Sequence, residues 1–175
     1  MTKLMNLKYF KNCSDIDNLV PDSPGIYCLR IKDINSLPEE FAKILFERNH
    51  NIIYIGIASK SLKERFLDQE LRAKGHGTFF RSIGTILGLK PPKGSLINKK
   101  RKQNYKFSKD DELKIINWIN TNLVANWINI NNNIKNLEFE LIQNFSPLVN
   151  IDKNPLALKS LKMLRKKCRK IANSS

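Results

Sequence analysis

The sequence is poor in the residues that staple or punctuate small folds. It has three cysteines in 175 residues, Cys13, Cys28 and Cys168. An odd, scattered set builds no disulfide framework, and no CxxC spacing offers a zinc site. The chain therefore suits a reducing compartment. Glycine and proline number 7 each, which excludes collagen-like and linker-like chains. No apolar run approaches the length of a membrane span. The stretch MTKLMNLKYFKNCSDID holds no apolar segment of signal-peptide length, so a cytoplasmic location is expected. A Walker loop, a GxSxG elbow and an HExxH pair are absent as well.

Acidic residues are also scarce, 16 against 31 Lys and Arg, which leaves a formal charge of +15. Such an excess calls for a polyanionic partner: nucleic acid first, an anionic membrane surface second. The length and a hydrophobic content of 41% suit one globular domain with a core of its own.

Three segments have strand character: GIYCLRI at residues 25–31, IIYIGI at 52–57, and the imperfectly alternating VANWINI at 124–130. Helices are expected from Pro38 to about 49, and from Ser61 to about Arg72, where Ser61 and Glu64 have capping-box spacing. Further helices are expected at 78–88, from Ser108 to about 123, at 134–145, and from Asn154-Pro155 to about Ala172. The last carries the apolar stripe Leu161, Leu164, Cys168 and Ile171, with Lys and Arg over most of the rest. The expected fold is α+β, about three short strands flanked by helices. Residues 1–22 form a lead-in and 153–175 a basic C-terminal helix. Residues 90–107 are a basic loop of a length usually tied to function or disorder.

Helix 134–145 holds an anomaly. At about 100° per residue, Ile134, Leu137, Leu141, Ile142 and Phe145 share one arc, and Glu138 falls inside it. Glu140 falls on the polar side. A carboxylate on an apolar face is costly unless it is paired or bound to a metal. Both readings are open from helix geometry: a metal ligand, or a buried salt bridge to Lys or Arg.

Two tripeptides, Gly25-Ile26-Tyr27 and Tyr54-Ile55-Gly56, stand in the order that names the GIY-YIG nuclease family. Arg65 follows nine residues after Gly56. Glu138, Leu141-Ile142, Pro147 and Asn150 then form an E-x-x-L-I-x-x-x-x-P-x-x-N pattern that resembles the family's C-terminal signature. Together these elements resemble that family over roughly residues 24–151. The resemblance implies a mainly antiparallel three-stranded sheet in a nuclease domain over 23–152, with a basic insertion at about 74–107. It implies a metal-dependent DNA endonuclease with one divalent cation, Mg or Mn, on Glu138. Arg65 would contact the scissile phosphate, whose developing charge suits a planar guanidinium. Tyr27 and Tyr54 would line the site, and Tyr27 is the candidate general base. A free tyrosine titrates near 10, so a neighbouring cation would have to favour the phenolate. Gly25 and Gly56 would be structural residues of the site. Asn150 is expected to tie the chain to a neighbouring backbone group.

His76, flanked by Gly75 and Gly77, is either a site participant or a loop residue. His50 is expected in a turn. The sequence departs from the family pattern where some members carry lysine after the second tripeptide. Here that residue is Ile57. The position four after the arginine, a histidine in some members, is Gln69. The long gap between the tripeptides resembles restriction-enzyme-like branches. For phosphate contacts the candidates are Lys74, Arg81, Lys90, Lys93, Lys99, Lys100, Arg101, Lys102 and Lys106. Phe79, Phe80, Tyr105 and Phe107 either stack bases or pack the core. The basic C-terminal helix is either a second patch or a solvated face. DNA is the expected partner, with RNA as the alternative, no membrane, and a homodimer as one arrangement for a duplex cut. The competing function is a nucleic-acid-binding module that keeps the fold without turnover.

Overall fold

The computed structural model describes residues 2–175. Among these residues four strands form one antiparallel sheet, β1 (Lys11–Asn12), β2 (Gly25–Ile31), β3 (Ile52–Ala58) and β4 (Leu123–Asn129), in the order β1-β4-β2-β3. The three expected strands are present, and β1 makes a fourth. It is two polar, exposed residues long and pairs with Val124 and Ala125 of β4. So short a polar segment has no period-two pattern to betray it.

Helices cover both faces: α1 (Thr2–Met5), α2 (Glu39–Glu47), a π-helix (Lys63–Leu71), α3 (Thr78–Ile86), α4 (Lys109–Asn122), α5 (Ile134–Phe145) and α6 (Lys159–Asn173). Successive strand residues point to opposite faces. Tyr27, Leu29 and Ile31 therefore join Phe66, Phe79, Phe80, Ile115 and Ile119 in one core. Ile26, Cys28 and Ile55 join Leu4, Leu141 and Ile142 in the other. The imperfect alternation of β4 has a cause. Asn126 turns inward, and its Nδ2 donates to Leu4 O at 2.7 Å and Lys3 O at 2.9 Å, anchoring α1.

The lead-in is part of the core, with Leu4, Cys13, Ile16 and Val20 buried. Phe79, Phe80, Tyr105 and Phe107 are core residues too, out of reach of a stacking base. The basic loop and α6 hold each other. Gly94 N–H donates to Ile171 O at 3.1 Å and Leu96 N–H to Ala172 O at 2.7 Å.

Beyond α5 the chain runs beside β3. Leu148 N–H and Val149 N–H donate to Ile52 O and Ile53 O, at 3.2 and 3.0 Å. That segment covers an edge strand whose backbone would otherwise be open. His50, expected only in a turn, also acts here. Its Nε2 donates to Phe145 O at 2.6 Å while Nδ1 accepts from Ile52 N–H at 3.1 Å, so it ties the end of α5 to the start of β3.

Candidate active site

The β2–β3 register places Tyr27 opposite Gly56 and Leu29 opposite Tyr54. Tyr27 lies across the strand. A Cβ on Gly56 would sit 2.5 Å from its Oη, and a Cβ on Gly25 would meet Ile128 O at 2.5 Å. Both glycines are therefore required for close packing. The Tyr27 ring stacks on Phe66 at 4.5 Å and tilts against Tyr54 at 6.1 Å. Its hydroxyl is fully enclosed and has no hydrogen-bond partner among the described residues. Buried polar groups are rarely left so. Burial pushes the Tyr27 phenol well above its ordinary 10, with Glu70 and Tyr54 adding to the rise and Arg65 opposing it. Burial raises Tyr54 as well, again with Glu70 adding and Arg65 opposing.

Arg65 rides on the π-helix. Ser61 Oγ accepts from Glu64 N–H at 3.0 Å, one half of the expected capping box, while Glu64 Oε1 accepts from Gln69 Nε2 at 3.3 Å. A π-helix bonds i to i+5, which brings residue 70 alongside residue 65. Arg65 Nη1 donates to Gln69 Oε1 at 3.0 Å, and Nη2 forms an ion pair with Glu70 Oε1 at 2.9 Å. That second contact is ionic rather than an aligned hydrogen bond, since Glu70 Oε1 has no directed donor. Burial alone would lower the guanidinium's pKa, but Glu70, the two tyrosines and Glu138 outweigh it and hold Arg65 charged.

No motif or periodicity in the sequence marks Glu70. It is fully buried. Its Oε2 accepts from Phe79 N–H at 2.9 Å and Phe80 N–H at 3.2 Å. These are orphan donors in the first turn of α3, whose N-cap is Gly77 and has no side chain to serve them. Burial raises the Glu70 carboxyl, while Arg65 and the two backbone donors oppose the rise.

Glu138 comes from α5 and faces the same cleft, its side chain 14% exposed. Its Oε2 takes an ion pair from Lys153 Nζ at 2.8 Å. Asn150 clamps one residue of β3 at both ends. Its Oδ1 accepts from Ile55 N–H at 3.0 Å and its Nδ2 donates to Ile55 O at 2.8 Å. Tyr54, Arg65, Glu138, Asn150 and Lys153 line one cleft of about 760 Å³, while Tyr27 is buried beside Tyr54 and outside that lining. Among the described residues, the cleft's lining carries seven Lys or Arg against two acids, Glu138 and Asp152.

His76 is not brought to this cleft. It is buried against Phe80 and Phe107. Its Nε2 donates to Glu112 Oε1 at 2.8 Å and its Nδ1 accepts from Phe107 N–H at 3.4 Å. Both ring nitrogens are thus used inside the fold. Burial lowers its pKa to about 4, with Lys106 and Arg81 adding to the fall and Glu112 resisting it. Below about pH 6.5 the unfolded chain binds a proton that the folded chain refuses until about pH 4. Stability is therefore full above about pH 6.5 and falls by a few kcal/mol as pH drops toward 4, at about 1.36 kcal/mol per unit. Urea unfolding at pH 7, 6 and 5 should show this slope. His76→Gln should flatten it.

The proposed phosphate contacts are also redistributed. Of the nine candidates, only Arg81 lines the cleft. Lys99, Lys100, Arg101 and Lys106 surround a neighbouring hollow with Ser95 and Leu96, which shares Asn104 with the cleft. From the loop itself the cleft takes Gln103 and Asn104. Among the described residues, no cluster of three or more His, Cys, Asp or Glu forms a ready metal cage.

A family model described as the GIY-YIG catalytic domain matches residues 25–171. The chain belongs to the GIY-YIG family. The match runs from the first glycine of β2 into the last turns of α6, so it takes in every element that borders the cleft. A GIY-YIG domain implies nuclease activity in general terms, and with it a nucleic-acid substrate. No curated protein and no solved structure matches the chain. No helix among the described residues is long and apolar enough to cross a membrane.

Proposed function

We propose that this GIY-YIG domain is a metal-dependent endonuclease that hydrolyses DNA phosphodiester bonds. One observation carries the reading. Tyr54, Arg65 and Glu138, from three distant segments, meet in a single basic cleft with Tyr27 buried beside Tyr54.

Arg65 is suited to grip the scissile phosphate. Gln69 and Glu70 hold its guanidinium in place before substrate arrives, and a pre-oriented charge needs little reorganisation as the transition state forms. Of the two carboxylates in the lining, Glu138, from the E-x-x-L-I pattern, is the residue that would hold Mg or Mn. A single carboxylate suffices, because Mg keeps several waters and takes further ligands from substrate phosphates. The fit is supported by chemistry already present, since Glu138 holds a cation, the Lys153 ammonium. When bound, a divalent ion would supply Lewis-acid polarisation of the phosphate and stabilise the leaving oxygen.

Tyr27 and Tyr54 are the hydroxyls available to move a proton. Both phenols are raised, so neither is a phenolate at neutral pH without added positive charge. Tyr54 reaches the cleft directly. Tyr27 would act only once its enclosed hydroxyl gains a partner. Lysines outside the cleft supply a general positive field that draws DNA toward the protein.

The test is nicking and linearisation of supercoiled plasmid in Mg or Mn, with EDTA as control. Cutting that EDTA abolishes supports the enzyme. Salt-sensitive binding of DNA without cutting, in either metal, leaves a binding module on a nuclease fold.

A further inference from the structure

We propose that α6 is the wall along which the substrate's phosphate backbone runs, so that the C-terminal helix, more than the basic loop, sets affinity. This rests on the nuclease reading for its substrate class. Lys162, Arg165, Lys166 and Arg169 are spaced i, i+3, i+4 and i+7, which places them on one face of the helix. All four line the same cleft as Arg65 and Glu138. The rotation of the helix is fixed, because Leu161, Cys168 and Ala172 are buried on the adjoining face.

The charge on this face is not neutralised from within. Among the described residues, none of the four forms an ion pair with a carboxylate, and α6 contains no acidic residue. Lys162–Lys166 and Arg165–Arg169 are like-charge pairs at i, i+4, which weaken an isolated helix. A polyanion along the face would turn that repulsion into attraction. The basic loop has a different part. It braces the far end of α6 through Gly94 N–H to Ile171 O, Leu96 N–H to Ala172 O, and Asn173 Nδ2 to Lys102 O at 3.0 Å. The wall itself is tied to α3 by Arg165 Nη1, which donates to Ser82 Oγ at 3.3 Å.

The experiment measures binding of the full chain to a fluorescein-labelled 20-base-pair DNA duplex and to its single strand. EDTA is present, so no turnover is needed, and salt is varied. Changing Lys162→Gln, Lys166→Gln and Arg169→Gln together should lower the slope of log K against log salt by about 2 to 3, at about 0.9 per lost duplex phosphate contact. A charge-matched control, Lys8→Gln with Lys11→Gln and Lys43→Gln, removes exposed lysines away from the cleft. Its slope should stay within about half a contact of wild type. If the triple variant unfolds, Lys162→Gln with Lys166→Gln alters only exposed side chains and should lose about two contacts' worth of slope.

The inference is overturned if the α6 variants keep the wild-type slope, or if Lys99→Gln with Lys100→Gln and Arg101→Gln costs more. It is also overturned if the α6 change abolishes binding to anionic phosphatidylglycerol vesicles but leaves DNA binding intact. A wild type that binds through α6 yet never cuts retains this inference and removes the enzyme. Cutting with an α6-independent slope does the reverse.

Discussion

Replacing Arg65 by alanine should lower kcat for plasmid cleavage by roughly 10²- to 10³-fold, about 3 to 4 kcal/mol of transition-state stabilisation. The reason is local. Arg65 is half-exposed on the cleft side while Gln69 and Glu70 fix its orientation from behind. Phosphodiester hydrolysis spreads charge over the non-bridging oxygens, and a planar fork aimed at them helps most when that charge is largest. DNA affinity should change far less, because other cations line the cleft. Arg65→Lys should recover only part of the loss, since an ammonium supplies charge without the bidentate plane. Thermal unfolding must be followed in parallel. Removing the guanidinium strips Glu70 of its cationic partner, and a buried charge without a partner is costly.

The second large effect belongs to Glu70 itself. Glu70→Ala should destabilise the fold by about 3 to 5 kcal/mol, the usual consequence of breaking one side of a buried ion pair. It also leaves Phe79 N–H and Phe80 N–H unsatisfied at the start of α3. Glu70→Gln should cost less, because the amide oxygen can still accept both. Gly77→Ala should resemble the alanine change at Glu70, since a Cβ there would sit 2.0 Å from Glu70 Oε2. Urea titrations of the three variants order them. Equal stability of Glu70→Ala and wild type would mean that the carboxylate does not hold α3.

Much of this was legible in the sequence. β-branched runs marked β2 and β3, and the two tripeptides with Arg65 and the Glu138 pattern marked the family. The placement of Glu138 beside an apolar arc exposed the one carboxylate that did not fit a plain surface helix. It turns to the cleft and carries Lys153. What stayed hidden needed tertiary geometry. On an α-helix, residue 70 lies about 140° away from residue 65 at 100° per residue, so α-helical spacing does not pair Glu70 with Arg65. The π-helix, with its i to i+5 bonding, narrows that separation. His76 looked available because glycines flank it, yet its partner Glu112 lies 36 residues downstream. The lysine-rich loop stands out by density, whereas four of the cleft's seven cations come from α6 and none from residues 90–107. Density counts charges along the chain, and only packing decides which way they face.

The most direct measurement compares wild type with Glu138→Ala on the same labelled duplex, scoring binding in EDTA and cleavage after Mg or Mn is added. If Glu138 completes a nuclease site, both proteins bind alike and only the wild type cuts. Cleavage by Glu138→Ala at the wild-type rate would contradict the site, and absence of cleavage by either protein would contradict the enzyme.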